Sequence, residues 1–138
     1  MNEMKSNRIN ISSGAPWETI VGYSRAVKVG PLIEVTGTTA VENGKVVGIN
    51  DPEQQATIVF QKIKGVLEQA GSCLEDVIRT RMFVTDISMW EAFGRAHKAC
   101  FGDIMPATSM IEVKGLIDPD MLIEVEVTAW AGDSLANH

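Results

Sequence analysis

An α+β fold of order β-β-β-α-β-α-β-β is predicted by three features of the sequence. Segments 51–71 and 88–102 combine helix-start signals with apolar residues every three or four positions. Four other stretches, around 24–38, 78–85, 107–113 and 121–131, are β-branched and alternate with period two. Asn43-Gly44 adds the strongest tight-turn signal, because both residues tolerate positive φ. Two amphipathic helices among these strands call for a mixed sheet with both helices on one face. The other face then needs a partner, which points to self-association with ligand sites between chains.

Residues 1–16 read as a polar, irregular lead-in, and Trp17 packs either on the domain core, the commoner use, or on a partner chain. Residues 24–29 and 32–38 form a hairpin turning at Gly30-Pro31, with Ala26, Val27, Val29, Ile33 and Val35 as its apolar positions. A third strand follows Asn43-Gly44. Asp51-Pro-Glu-Gln54 opens the first helix, with Asp as cap, Pro at the first helical position and Gln three residues on. Ala56, Val59, Phe60, Ile63, Val66, Leu67 and Ala70 form its stripe, and Gly71 stops it. Gly65 within it costs about 1 kcal/mol relative to alanine, which suggests close helix–sheet contact.

In strand 78–85, Ile78, Thr80, Met82 and Val84 share one face, and Arg79, Arg81, Phe83 and Thr85 the other. The arginines either grip an anionic ligand or pair with carboxylates of another strand or subunit, the second being commoner. Ser88-Met-Trp-Glu91 reads as another capping box, opening a helix with Trp90, Phe93, Ala96, Cys100 and Phe101 inward and Gly102 at its end. His97 falls near that face, where a lone histidine is usually satisfied by the core. Pro106 lacks an N–H and holds Met105 extended, so the helix stops and a strand begins near Ala107. Thr108 and Ser109 at its mouth either bind a small ligand or cap the turn. In the longest strand, 121–131, Ile123, Val125, Val127 and Ala129 face one side. Glu124, Glu126, Thr128 and Trp130 face the other, with the carboxylates about 7 Å apart. From Gly132 the tail is expected to fray.

One domain is expected from 138 residues at 45% apolar content. A net charge of −6 without a dense Lys/Arg run gives nucleic acid little footing. There is neither a signal-peptide pattern nor a run of about 18 apolar residues, so a cytoplasmic protein without a membrane segment is expected. Cys73 and Cys100 lack paired spacing and read as reduced, buried thiols, while His97 and His138 are too separate to suggest a metal. No metal or cofactor is expected.

Four segments together resemble the RidA (YjgF) family, small trimeric proteins that include 2-imino acid deaminases. Gly22-Tyr-Ser-Arg-Ala-Val27 resembles the family's Pro-Tyr-Ser-Gln-Ala-Val, and Thr36-Gly-Thr38 stands where the family has Ser-Gly-Gln. Asp76-Val-Ile-Arg-Thr-Arg-Met-Phe-Val-Thr-Asp86 resembles the central strand. Pro106-Ala-Thr-Ser-Met-Ile-Glu-Val113 resembles Pro-Ala-Arg-Ser-Cys-Val-Glu-Val. The resemblance spans residues 22–130 and implies a chorismate-mutase-like fold, a homotrimer and three inter-subunit clefts. The single domain is thereby placed at 17–131, between the lead-in 1–16 and the tail 132–138.

In active deaminases of that family the motif arginine holds the substrate carboxylate bidentately, and a last-strand glutamate orients water onto the imine carbon. Here the arginine position is Thr108, the cysteine position Met110, a cleft asparagine falls on Gly94, and the glutamate matches Glu124. The resemblance thus implies Glu124 as catalytic base, or, in the simpler reading, as an interface salt-bridge partner. Tyr23, Arg25, Thr38, Arg81, Thr108 and Ser109 are the candidate ligand-binding residues. Threonine offers no cationic fork, so the grip on a 2-imino carboxylate is lost unless Arg25 or Arg81 replaces it. Three readings follow: hydrolysis of a small carbonyl, imine or enamine metabolite; a noncatalytic ligand-binding or protein-interaction trimer; and, last, a ribonuclease, which the acidic balance and the lack of a His or Lys pair oppose.

Overall fold

The computed structural model describes residues 7–132. The first part of the lead-in and, beyond Gly132, the expected frayed tail lie outside the described residues. The strands are β1 (Arg8–Ile11), β2 (Ala26–Val29), β3 (Leu32–Thr38), β4 (Val41–Glu42), β5 (Lys45–Val46), β6 (Val77–Val84), β7 (Ala107–Glu112) and β8 (Ile123–Trp130). The α-helices are α1 (Pro16–Val21), α2 (Pro52–Gln69) and α3 (Trp90–Phe101). Six strands form one sheet in the order β1-β2-β3-β8-β6-β7. All its pairs are antiparallel except β6 with β7, whose parallel pairing requires the crossover through α3.

The α+β class is as expected, and α2 and α3 lie on one face of the sheet. Ala56, Val59, Phe60, Ile63 and Leu67 of α2 and Phe93, Ala96 and Phe101 of α3 meet Ile33, Val35, Met82, Val84, Ile123, Val125, Val127 and Ala129, all at most 3% exposed. Asp51 caps α2 by accepting from Gln54 N–H at 3.1 Å. Gln55 is fully buried at the start of α2. Its amide donates to the carbonyls of Val47, Gly48 and Asp120 and accepts from Leu122 N–H, tying the β4–β5 hairpin to the approach to β8.

Several expectations are corrected. The lead-in is not wholly irregular: Arg8–Ile11 pairs with β2 as the sheet's edge strand. Trp17 is not core but sits half exposed on α1. The Asn43-Gly44 turn joins β4 to β5, but these short strands form a separate hairpin rather than a third strand of the main sheet. Gly65 is exposed with open space at its missing Cβ, so close sheet contact does not explain it. A register shift between Val77 and Arg79 turns Ile78 outward while Val77 goes in. Ser88 does not cap the second long helix: the cap position of α3 is Met89, without a side-chain bond, and Asp86 instead caps the 3₁₀ turn Ile87–Met89 that leads into it, accepting from the Ser88 N–H and hydroxyl, with Trp90 exposed. Pro106 does end the helical region, but Met105 adopts φ 54°, reversing the chain into β7. Among the described residues no helix is long and apolar enough to cross a membrane.

Candidate functional site

Alternation along β8 divides the expected site residues between the two faces of the sheet. Phe83 and Arg81 of β6 lie opposite Glu124 and Glu126 of β8, and Arg81 also lies opposite Ser109 of β7, all on the face away from the helices. Thr80 is opposite both Thr108 and Val127, on the helix face. Within the chain, therefore, Thr108 and Glu124 do not meet, whereas Ser109 shares the face of Glu124.

Glu124 stands beside an irregularity in β3. The register shifts between Val35 and Thr38, leaving Thr36 and Gly37 outside the regular ladder. A Cβ on Gly37 would lie 2.8 Å from Glu124 Oε2, so a side chain at this position would push the carboxyl from where it stands. Arg25 Nη2 donates to the Gly37 carbonyl oxygen at 2.8 Å. The Arg25 guanidinium lies 6.0 Å from the Tyr23 ring centroid. Tyr23 in turn lines a shallow groove of ≈ 480 Å³ with Arg8, Asn10, Glu18, Gly22, Ser24, Val27 and Thr36. Burial raises the Glu124 pKa above the ordinary carboxylate range, the Glu126 charge adds to this, and Arg25 opposes both. Tyr23, Arg25, Gly37 and Glu124 thus form one connected cluster.

Thr38 is fully buried, facing Val125, with its hydroxyl donating to Thr36 O at 2.8 Å. It supports the irregular stretch, and its burial leaves no exposed surface on it. Ser109 Oγ accepts from Arg79 Nη2 at 3.3 Å. Arg81 makes no ion pair with Glu126 despite lying opposite it, since the one ion pair in contact among the described residues is Arg95–Glu53.

A second cluster surrounds Thr108. Its hydroxyl lies 2.9 Å from Thr80 Oγ1, 3.5 Å from His97 Nε2 and 3.1 Å from Pro106 O. Thr80 Oγ1 also lies 2.9 Å from His97 Nε2. Phe60 meets the imidazole edge-on and Phe101 packs tilted against it at 4.8 Å. Burial lowers the His97 pKa and favours a neutral ring. His97 is therefore satisfied at the core boundary, as a lone helical histidine usually is. Its link to Thr108 is the part sequence reasoning missed. The available signal was two misplaced polar groups: Thr80 on the apolar face of β6 and His97 on that of α3. The Gly94 position carries no side chain and has open space at its missing Cβ.

Cys73 and Cys100 are free and half-buried, with thiol pKa values raised first by burial, so both stay protonated at neutral pH.

The sequence model named Endoribonuclease L-PSP matches residues 13–131. The chain is 31% identical to a 3-aminoacrylate deaminase, RutC, of Acinetobacter baylyi, over 88% of this chain and 95% of that protein. It is 34% identical to a RutC family protein of Pyrococcus abyssi, over 78% of this chain and 85% of that one. A Mycobacterium tuberculosis crystal structure, of a member of the YjgF/YER057c/UK114 family, superposes with a TM-score of 0.82 at 46% identity, covering 89% of this chain and 98% of that one. With residues 13–131 matched by the sequence model and 89% of the chain superposed, the chain belongs to the YjgF/YER057c/UK114 family, the family of the Endoribonuclease L-PSP model.

Proposed function

We propose that the chain assembles as a homotrimer whose inter-subunit clefts bind a small carbonyl, imine or enamine metabolite, and that Glu124 serves as the base for its hydrolysis. The observation that carries this reading is the Glu124 carboxyl itself, half-buried against Gly37 with its basicity raised. For an imine, Glu124 takes a proton from water as the oxygen adds to the C=N carbon. Protonation of the nitrogen and collapse of the adduct then release ammonia and leave the carbonyl compound. An enamine enters the same sequence after protonation at carbon.

Two features support clefts between chains. Arg81 and Glu126 lie opposite each other on the uncovered face without pairing, as expected of a surface that meets another protein. Thr108 and Glu124 lie on opposite faces of one sheet, so they can shape a common site only when separate copies contribute them.

The test is ammonia release from 2-iminopropanoate and 2-iminobutanoate generated in situ, with wild type, Glu124→Ala and a no-protein control. The expected result is acceleration by wild type and none by Glu124→Ala, with light scattering showing a trimer for both. Unchanged turnover in Glu124→Ala removes the proposed base.

The uncharged Thr108, engaged with Thr80 and Pro106, specifically favours a second reading: a trimer that binds its ligand without consuming it. Saturable binding with no product in the same assay selects that reading. Ribonuclease chemistry has the least support, because the net charge is −6 and His97 is shared between Thr80 and Phe packing rather than presented with a second acid or base.

A further inference from the structure

We infer that the Thr108 hydroxyl is fixed as a hydrogen-bond acceptor toward the ligand, so that the metabolite presents an N–H or O–H group to it. The assignment rests on the proposed inter-subunit cleft but not on any turnover there.

Thr108 stands near the start of β7 with its side chain exposed, whereas Thr80, its partner in β6, is fully buried. Three polar groups lie behind the Thr108 hydroxyl: Thr80 Oγ1 at 2.9 Å, Pro106 O at 3.1 Å and His97 Nε2 at 3.5 Å. Thr80 Oγ1 is itself 2.9 Å from His97 Nε2. Each hydroxyl owns one hydrogen and two lone pairs, and a carbonyl oxygen only accepts, so the hydrogens of this network can be counted.

Nε2 is either bare or protonated, and both states have the same consequence. With Nε2 bare, Thr80 gives its hydrogen to the imidazole, and the Thr108 hydrogen goes to Thr80 Oγ1 or to Pro106 O. With a hydrogen on Nε2, the imidazole donates to Thr80, Thr80 donates to Thr108, and Thr108 donates to Pro106 O. Charging the ring as imidazolium gives this second arrangement again. In every case the single hydrogen of Thr108 is turned inward, and the exposed side of the oxygen carries a lone pair. Turning the hydrogen outward gives up a bond that is already made.

This outward polarity sorts ligands. An imine, enamine, amide or alcohol can supply the hydrogen that the oxygen accepts. A carboxylate, ester or ketone brings lone pairs against a lone pair. Ser109 does not offset the preference, because it lies on the other face of β7 and its oxygen already accepts from Arg79 Nη2 at 3.3 Å.

The test is calorimetric titration of N-methyl-2-oxobutanamide and methyl 2-oxobutanoate into the full-length protein. The two probes have nearly the same shape and differ at one position, N–H in the amide and O in the ester. Wild type, Thr108→Val and Thr108→Ala are compared, with circular dichroism and light scattering to show that each is intact. Wild type is expected to bind the amide about threefold to tenfold more tightly than the ester, the worth of one hydrogen bond. Thr108→Val, which keeps the shape and loses the hydroxyl, should erase the difference while still binding the ester. Failure of wild type to bind the amide, equal binding of the two probes by wild type, or an undiminished difference in Thr108→Val overturns the assignment and leaves Thr108 as a turn cap. If Thr108→Val does not fold, Thr108→Ala decides by the same criterion, since it removes the same hydroxyl from an exposed position.

The ammonia assay separates this from the hydrolase reading. A Thr108-dependent preference for the amide without ammonia release leaves the acceptor in a noncatalytic site. Glu124-dependent turnover without that preference leaves Glu124 as base and removes the role given to Thr108.

Discussion

On the helix side of the sheet, Ile33, Val35, Met82, Val84, Val125 and Val127 are closed off by α2 and α3, and the polar groups among them have partners. On the other side, built from alternate residues of the same strands, Arg81, Phe83, Glu124, Glu126 and Trp130 are partly or largely accessible, and no ion pair joins the charges among the described residues. Side-chain alternation forces this division, because each strand must supply both faces at once. The first face accounts for why one chain folds. On the second, Thr128 bonds Glu34 and Arg79 bonds Ser109, but Arg81, Glu124 and Glu126 have no ion-pair partner among the described residues, and association and chemistry are expected there.

Disruption should therefore separate the faces, in stability on one side and in assembly or activity on the other. The largest stability loss is expected from Phe60→Ala. Phe60 is fully buried and meets both His97 and Phe101 edge-on, so truncation should cost about 3–5 kcal/mol in urea unfolding. Gln55→Ala should cost about 2–3 kcal/mol, because it leaves Leu122 N–H and the Asp120 carbonyl without their buried partner. Retention of wild-type stability in either variant would break the comparison.

On the uncovered face, Gly37→Ala should change stability by no more than about 1 kcal/mol but displace the Glu124 carboxyl, and ammonia release should fall at least tenfold. Loss of the fold instead would show that this face, too, is structural. Glu124→Gln should be more stable than wild type at neutral pH. The folded-state pKa of Glu124 is raised, so the folded protein binds more protons than the unfolded chain and loses stability as pH rises through the carboxylate range. The advantage of the variant should vanish as pH falls below that range, as thermal unfolding across pH would show. Arg95→Ala marks the lower limit. It breaks an ion pair with Glu53 whose side chains are 62% and 49% exposed, and less than about 1 kcal/mol should be lost, with no effect on assembly.

Legibility in the sequence followed the same division. The inward sets of α2 and β8 could be read directly, because burial imposes a period of 3.6 or 2 on residue choice. The cap at Asp51 was equally plain. Reading failed where one extra residue or one backbone angle decides the outcome: at Ile78, turned outward by a register shift, and at Met105, whose positive φ overrides the usual effect of a following proline. β1 was missed because an edge strand of four residues with three exposed has almost no apolar pattern. At the candidate site, Glu124 and Arg25 could be nominated from motif positions. That Thr108 points to His97 while Glu124 points away depends on strand register, which motif similarity does not convey.

The position of β8 in the sheet bears on the order in which the protein can be made. It is the last strand among the described residues, yet it lies between β3 and β6. Until β8 emerges from the ribosome, the N-terminal strands and the β6–α3–β7 unit share no ladder, and each has an edge awaiting it. At about 5–20 residues per second, that exposure lasts for seconds on every nascent chain. The same late strand delivers Glu124, so no partial product of synthesis holds the proposed base in place.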